Sequence, residues 1–246
     1  MSTKWIAHET DQKQDFALYC FPHAGGTAAY FAKWGAEFEN IAVLPVQFPM
    51  REKRIKEKMP DSMQELVKDF VDENIGLLKE RKFGLFGHCS GSIAAYEAAK
   101  YAKEAYGIEP EILFVSSCYA PDDYRAPMLS SLSDEELLHV IKEAGYVTPE
   151  LLENPFMFEY FAPIVRKDFF IQENYKNENN RKLNVPVVAM YGKEDLALEE
   201  KSSIGHWKNY TSGDFAIEEF HGSHFYLEEE LDKVAAVIDR RIMEVR

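Results

Sequence analysis

Short apolar runs alternate with longer amphipathic segments over most of the chain. Most of the runs are too uniformly apolar for a sheet with one face in water, and they are rich in residues that favour strands. We therefore predict a mainly parallel β-sheet that is covered on both faces. The predicted strands span residues 16–21, 41–48, 83–87, 111–118, 185–191 and 215–220.

The segments between the predicted strands carry helix signals. Ser62 and Glu65 have the spacing of a capping box, and Leu66 begins an apolar stripe along one helix face. The segment after the third strand is rich in alanine and ends near Gly107, a typical residue for closing a helix. A further stripe over residues 227–242 predicts a last helix. This alternation of strands and helices is typical of a doubly wound α/β fold.

One region breaks the alternation. Residues 120–184 contain no convincing strand but have two helix starts, near residues 133 and 148. We predict a helical insertion over the sheet, within a single domain that spans residues 1–246. The aromatic residues at 155–161 either pack these helices together or line an apolar chamber for an acyl group or another substrate.

Composition and charge narrow the class of function. With 246 residues, of which 46% are hydrophobic, the chain is long and apolar enough for one substantial core. Its net charge of -14 argues against binding to nucleic acid or to a membrane surface, because both need a surplus of Lys and Arg. The sequence has no signal-peptide pattern and no long apolar run, so we expect a cytoplasmic protein.

The three cysteines form neither a disulfide framework nor a paired metal motif, which fits a reducing compartment and predicts no metal site. Cys20 and Cys118 lie in apolar runs and are expected to be small core residues. Cys89 differs from them because it lies in a glycine-containing turn. Its chemistry therefore needs a separate explanation.

The turn at residues 87–92, Gly-His-Cys-Ser-Gly-Ser, links a predicted strand to a predicted helix. It has the outline of the Gly-x-Ser-x-Gly turn that presents a catalytic serine, but Cys89 takes the central position and Ser90 comes one residue late. Such a turn exposes its central side chain, and the positive end of the following helix stabilises a developing anion. We interpret Cys89 as the nucleophile and expect Ser90 to supply a backbone N–H to an oxyanion hole. The alternative is a glycine turn around a buried cysteine.

A base and an acid decide between these interpretations. In folds with this turn, the nucleophile, the acid and the histidine follow one another along the chain. His224 comes directly after the last predicted strand and is the expected base, with His221 as its competitor. Asp195 follows the fifth predicted strand and is the expected acid, with Glu194 as a rival. Open α/β sheets form their active sites at the carboxyl ends of strands, so this placement favours a catalytic triad.

A second oxyanion donor is expected in the loop after the first strand. Residues 21–26, Phe-Pro-His-Ala-Gly-Gly, are small and glycine-rich, and the N–H of Ala24 is the candidate donor. Phosphate binding is the alternative for such a loop. The segment lacks both the Gly-x-x-x-x-Gly-Lys pattern and the Gly-x-Gly-x-x-Gly spacing that phosphate binding requires.

Several stretches together resemble one known family. They are residues 18–26, 49–54, 87–91, 166–169, 192–195 and 222–225. On these stretches the chain resembles the stand-alone type II thioesterases of the α/β-hydrolase superfamily, which accompany nonribosomal peptide and polyketide synthases. Two positions depart from the family pattern. Cys89 replaces the usual serine, and Met50 replaces the usual glycine before Arg51.

The resemblance implies an α/β-hydrolase fold in which the insertion at 120–184 forms a helical lid. It also implies hydrolysis of aberrant or stalled acyl groups from the phosphopantetheine arm of an acyl or peptidyl carrier protein, without a metal or an organic cofactor. We expect the enzyme to be a monomer. The candidates for binding the substrate or the carrier protein are His23, Arg51, Arg54 and Asp168.

Cysteine at position 89 leaves more than one function open. Attack by a thiol on a thioester gives another thioester, which stays activated, so an amine, alcohol or thiol acceptor could compete with water. Acyl transfer is therefore the second hypothesis, and a non-catalytic protein that binds a carrier is the third. The basic run at residues 51–58 is either a solvated loop or a docking site for an acidic carrier protein.

Overall fold

The computed structural model describes residues 3–6, 14–143, 155–179 and 181–246. Its six strands are β1 (Phe16–Phe21), β2 (Ile41–Pro45), β3 (Lys82–His88), β4 (Ile112–Ser116), β5 (Val187–Gly192) and β6 (Phe215–Phe220). They form one sheet in the order β2-β1-β3-β4-β5-β6, and every neighbouring pair is parallel. The predicted parallel sheet of an α/β fold is confirmed.

Two strands end earlier than the apolar pattern predicts. β2 ends at Pro45, and the chain then turns so that Gln47 N–H donates to the carbonyl of Trp5 at 2.7 Å. β4 ends at Ser116 because Ser117 has a φ of +47°, outside the extended region of the backbone. In both places the sequence stays apolar while the backbone leaves the sheet, so hydrophobicity alone overestimates the strand length.

The described helices are α1 (Met63–Glu80), α2 (Ser90–Tyr106), α3 (Asp134–Glu143), α4 (Pro155–Glu173), α5 (Tyr226–Glu229) and α6 (Leu231–Val245). The capping box is confirmed, because the Ser62 hydroxyl accepts from Glu65 N–H at 3.1 Å. Gly107 closes α2 in the left-handed conformation, also as predicted. The last predicted helix is divided at Glu230, whose φ of -122° and ψ of 33° interrupt it. The helix start predicted near residue 148 lies outside the described residues.

Helices cover both faces of the sheet, as the uniformly apolar strands predict. Successive side chains of a strand point to opposite faces, and β1 shows both. One face packs against α1 and α2 and the other against α6. From β1, the first face receives Ala17, Tyr19 and Phe21, and the second receives Phe16, Leu18 and Cys20.

The described part of the insertion holds α3 and α4 and contributes no strand to the sheet. The two helices form a separate apolar cluster in which Leu137, Val165 and Phe169 pack together with Ala24 of the loop after β1. The aromatic residues of α4 differ in burial: Phe161 packs against this cluster, whereas Phe156 is 81% exposed. Among the described residues, no helix has the length and apolar character needed to cross a membrane.

Candidate active site

Cys89 lies in the tight turn between β3 and α2. Its backbone has a φ of +54° and a ψ of -126°, which side-chain-bearing residues rarely adopt and which stores strain of the kind found at functional sites. The turn is held because Cys89 N–H donates to the Ser116 carbonyl of β4 at 2.8 Å. The Cys89 side chain remains partly exposed, whereas Cys20 and Cys118 are buried as predicted.

Two glycines allow this turn to form. A Cβ atom at Gly87 would stand 2.1 Å from the carbonyl oxygen of Gly91, and a Cβ atom at Gly91 would stand 2.2 Å from that of Phe21. Real Cβ contacts essentially never fall below 3.0 Å. Any larger residue at either position would push the start of α2 away from the ends of β1 and β3.

The hydroxyl of Ser92 ties the turn to its neighbours. It accepts from Ser116 N–H at 3.0 Å and donates to the Gly87 carbonyl at 2.8 Å. Ser90 is the first residue of α2. N–H groups in the first turn of a helix have no acceptor within the helix and carry its positive end. The N–H of Ser90 therefore lies next to the nucleophile position at the positive end of α2.

His224 and Asp195 are joined at the carboxyl edge of the sheet. His224 Nδ1 lies 2.9 Å from Asp195 Oδ2, and both side chains are buried. Asp195 Oδ1 also accepts from Ala197 N–H at 2.9 Å. Burial alone would raise the pKa of Asp195, but hydrogen bonding to His224 and Ala197 outweighs it and holds that pKa below its ordinary value. Asp195 is therefore a carboxylate at neutral pH.

The same contacts act on the imidazole of His224. Burial alone would lower the pKa of His224, but hydrogen bonds with Asp195 and with Cys89 outweigh it and raise the pKa to about 10. The structure thus brings Cys89, His224 and Asp195 into one chain of contacts. A protonated His224 beside the Cys89 sulfur favours the thiolate, which is the nucleophilic form of cysteine.

Glu194, the rival of Asp195, has other partners. Glu194 accepts from Gly222 N–H at 2.6 Å through its carboxylate and donates its own N–H to the Gly222 carbonyl at 3.0 Å. Glu194 therefore stabilises the loop that carries His224. His221 is exposed and stands three residues before the histidine that meets Asp195.

Ala24 lies in the loop after β1, where Gly25 has a φ of +73° and Gly26 N–H donates to the His23 carbonyl at 2.9 Å. This turn places the N–H of Ala24 in a loop that passes close to Gly91, because a Cβ atom at Gly91 would meet the end of β1. The two predicted oxyanion donors, Ala24 and Ser90, thus belong to segments in direct backbone contact.

The four residues considered for binding the substrate or a carrier are all buried. Arg51 forms a two-pronged ion pair with Asp168, with nitrogen-to-oxygen distances of 2.9 and 2.6 Å. Arg54 donates to the carbonyl of Gln47 at 2.7 Å and stacks on the ring of Trp5. The ring of His23 packs edge-on against those of Tyr30 and Phe225. Met50 has a φ of +66°, a left-handed conformation that favours glycine, which is the residue that the resemblance leads us to expect there.

Sequence reasoning did not assign a role to His88, the residue before Cys89. His88 is fully buried, its Nδ1 lies 2.9 Å from Ser116 Oγ, and that hydroxyl lies 2.8 Å from the hydroxyl of Tyr226. The ring centroids of His88 and His224 are 5.1 Å apart. The only signal in the sequence was a polar residue at the end of an apolar strand.

The three histidines near Cys89 differ in charge. Burial, followed by the charges of His224 and Arg51, lowers the pKa of His23 to about 3. Burial also lowers the pKa of His88 well below its ordinary value. Two neutral imidazoles therefore flank the one that can hold a proton. Among the described residues, no group of three His, Cys, Asp or Glu side chains could hold a metal ion.

Comparison with known proteins adds a family to this geometry. The sequence model of the Thioesterase domain family matches residues 16–242. The medium-chain S-acyl fatty acid synthase thioesterase of Anas platyrhynchos is 33% identical over 218 residues, which cover 86% of this chain and 85% of that protein.

Two solved structures are similar over nearly the whole chain. The type II thioesterase BorB, from the borrelidin biosynthetic cluster, has a TM-score of 0.88 and 29% identity, with 98% of each chain covered. The RedJ thioesterase, from the prodiginine biosynthetic pathway in Streptomyces coelicolor, has a TM-score of 0.86 and 30% identity, covering 92% of this chain and 90% of RedJ.

Proposed function

The chain belongs to the Thioesterase domain family, and we propose that it hydrolyses acyl groups from the phosphopantetheine arm of an acyl or peptidyl carrier protein. The supporting observation is the contact between His224 and both Cys89 and the buried Asp195 carboxylate, at the turn that presents a nucleophile. The similarity to thioesterases of the borrelidin and prodiginine pathways supports an editing or release step in nonribosomal peptide or polyketide synthesis.

In the acylation step, the Cys89 thiolate, whose proton is held by His224, attacks the thioester carbonyl with its sulfur. The N–H groups of Ala24 and Ser90 would stabilise the oxyanion of the tetrahedral intermediate. The intermediate then collapses, the carbon–sulfur bond to pantetheine breaks, and His224 returns the proton to the leaving thiolate. The products are an acyl-Cys89 thioester and a free carrier thiol.

In the deacylation step, water replaces the pantetheine thiol. His224 removes a proton from the water as its oxygen attacks the acyl-Cys89 carbonyl, and the sulfur of Cys89 leaves as the carboxylic acid forms. Asp195 holds the imidazole in place and stabilises its protonated form in both steps. The bond changes of the two steps balance without a metal or a cofactor.

Cysteine at the nucleophile position supports a second candidate function. The acyl-Cys89 intermediate is a thioester and is nearly as reactive as the substrate, whereas an acyl-serine would be a more stable oxygen ester. An amine, alcohol or thiol that reaches the site could therefore accept the acyl group in place of water. The third hypothesis is that the protein binds a carrier without catalysis, and it alone predicts that no acyl-Cys89 forms.

The insertion over residues 120–184 is the part that we propose as a lid within a single domain spanning 1–246. The contact between its helix α4 and the loop that carries Ala24 supports this proposal. Three cysteines without disulfides support a reducing compartment such as the cytoplasm. We also propose that a monomer is the working form.

A basic loop beside the lid supports docking of an acidic carrier protein. Lys53, Lys56 and Lys58 are exposed, in a chain whose net charge is -14. Opposite charges steer association and set its rate more than they set the chemical step. Charge reversal at these three lysines should raise KM for a carrier-bound thioester while leaving KM for a small thioester unchanged. Charge reversal at the exposed Lys208 serves as the control. An equal change of KM for both substrates would show that the three lysines do not form a docking site.

Intact-protein mass spectrometry tests the proposed function. The protein is mixed with an acyl-cysteamine thioester, and its mass is followed with time. We expect an acyl adduct on the wild-type protein that decays in water, no adduct on Cys89→Ala, and an adduct on Ser90→Ala. An adduct that persists until an amine or thiol is added would establish acyl transfer instead. Labelling of Cys89→Ala but not of Ser90→Ala would show that Ser90 is the nucleophile.

A further inference from the structure

The loop that carries Ala24 is held from outside by a residue of α4. Gly25 N–H donates to Asp168 Oδ2 at 2.7 Å, across 143 positions of the chain. A peptide group is planar, so this bond fixes the peptide that joins Ala24 to Gly25. The contact between the His23 carbonyl and Gly26 N–H fixes the peptide that joins His23 to Ala24.

The contact with Asp168 fixes the peptide that follows Ala24, and the contact with Gly26 sets the direction of the Ala24 N–H itself. In a trans peptide the N–H is directed opposite to the carbonyl of the preceding residue. Because the His23 carbonyl faces Gly26 within the turn, the Ala24 N–H faces away from the turn. The loop therefore presents this N–H in one orientation for as long as both contacts persist.

Asp168 is itself held by Arg51. The guanidinium donates to both carboxylate oxygens, at 2.9 and 2.6 Å, and also to the Gly26 carbonyl at 2.8 Å. Arg51 is fully buried and Asp168 is 5% exposed. Removal of one partner from such a pair leaves an uncompensated buried charge. The ion pair thus forms two hydrogen bonds with the loop: Asp168 accepts from Gly25 N–H, and Arg51 donates to the Gly26 carbonyl.

Helix α4 also touches the loop through apolar contacts. A Cβ atom at Gly25 would stand 2.7 Å from Phe161 Cζ and 2.9 Å from Val165 Cγ2, both on α4. Only glycine leaves room for this approach, and the φ of +73° at Gly25 also favours glycine. Displacement of this part of α4 would break the Asp168 contact and release the loop.

We propose that Asp168, held by Arg51, is a positioning residue that sets the orientation of the Ala24 N–H and so couples the insertion helix α4 to the oxyanion hole. This role goes beyond direct binding of substrate, and it rests on the proposed function because it needs acyl transfer to Cys89. The oxyanion hole is complete only while α4 is seated. The acylation rate then depends on the insertion, whereas the reactivity of the thiol itself does not.

Two rate constants separate positioning from general damage in Asp168→Asn. Acylation of Cys89 by an acyl-cysteamine thioester passes through an oxyanion, whereas alkylation of Cys89 by iodoacetamide does not. We expect the single-turnover acylation rate to fall about 10-fold or more, since loss of one oxyanion donor costs about 100- to 1000-fold. We expect the alkylation rate to be unchanged.

A matched control is available in the same fold. Glu97 and Lys100 form another buried ion pair, at 2.8 Å, on α2, and Glu97→Gln should leave both rates unchanged. If Asp168→Asn does not fold, the double variant Arg51→Gln with Asp168→Asn removes both charges at once and is expected to show the same selective loss. Thermal melting establishes that each variant is folded.

Two outcomes overturn the proposal. A folded variant that acylates at the wild-type rate would show that the loop does not need Asp168. An equal fall of both rates would show that the substitution damages the whole site. If the wild-type protein forms no acyl-Cys89, the proposed function is wrong, and the positioning role is wrong with it. This result is distinguishable from the other two because it is seen in the wild-type protein, without any substitution.

Discussion

Gly91→Ala tests whether the two proposed oxyanion donors depend on the close approach of α2 to β1. The added methyl group would stand 2.2 Å from the carbonyl oxygen of Phe21 and 2.7 Å from that of Pro22. Both obstacles are backbone atoms, so no change of rotamer can relieve the contact. To reach the 3.0 Å limit of real Cβ contacts from 2.2 Å, the segments must separate by at least 0.8 Å.

This shift acts directly on the proposed oxyanion hole. Ser90 precedes the substituted residue, and Ala24 follows Phe21 by three positions, so separation of the two segments moves their N–H groups apart. A misplacement of about 1 Å can cost about 100-fold in rate. We expect kcat/KM to fall about 10- to 100-fold. Overpacking of this kind also costs about 1–3 kcal/mol, which lowers Tm by several degrees.

The assay follows thiol release from an acyl-cysteamine thioester, together with a thermal melt. Gly76→Ala is the control, because Gly76 lies inside α1 and a Cβ atom there would have nothing within 4 Å. Alanine at this position should stabilise the protein by about 0.5–1 kcal/mol and leave kcat/KM unchanged. Wild-type kcat/KM and Tm in Gly91→Ala would refute the proposed dependence on this contact.

Three further predictions concern the triad. The stability from the raised pKa of His224 is complete below pH 6.5 and is lost as the pH rises towards 10. Urea unfolding should show this loss in the wild type and a smaller loss in Asp195→Asn, which keeps only the contribution of Cys89; equal losses in the two proteins would contradict this prediction. Cys89→Ser should resist iodoacetamide and pass less acyl group to an added amine relative to water, and an unchanged product ratio would count against the thioester intermediate. The kcat of His224→Ala should fall about 100-fold or more, whereas substitution of the exposed His221 by Ala should leave kcat unchanged. Equal losses of kcat in the two variants would show that His224 is not the base.

The sequence predicted the sheet well because most of its strands are apolar on both sides, with β6, which carries Glu218 and Glu219, as the exception. That pattern arises only where helices cover both faces, so it reports the parallel arrangement as well as the strands. The strand ends were predicted less well. At Ser117 the backbone turns to a φ of +47° while the neighbouring residues stay apolar, and hydrophobicity carries no information about such a turn.

The interpretation of residues 87–92 also came from local signals. The glycines, the strand before them and the helix after them are neighbours in sequence, and the structure shows the strained backbone that they permit at Cys89. The choice between Asp195 and Glu194 was less secure, because adjacent carboxylates look equivalent in sequence. Their different hydrogen bonds, to His224 and to Gly222, appear only when the two loops meet.

The sequence by itself determined the order of strands and helices along the chain, the caps of α1 and α2, and the tight turn at residues 87–92, because these depend on residues close together in the chain. Tertiary structure alone decided that Arg51 pairs with Asp168, 117 positions away, and that this pair holds Gly25 and Gly26. It also decided that His224 holds a proton while His23 and His88 stay neutral. A side chain's pKa and partners depend on burial and on charges brought near by folding, and these come from segments that are distant in sequence.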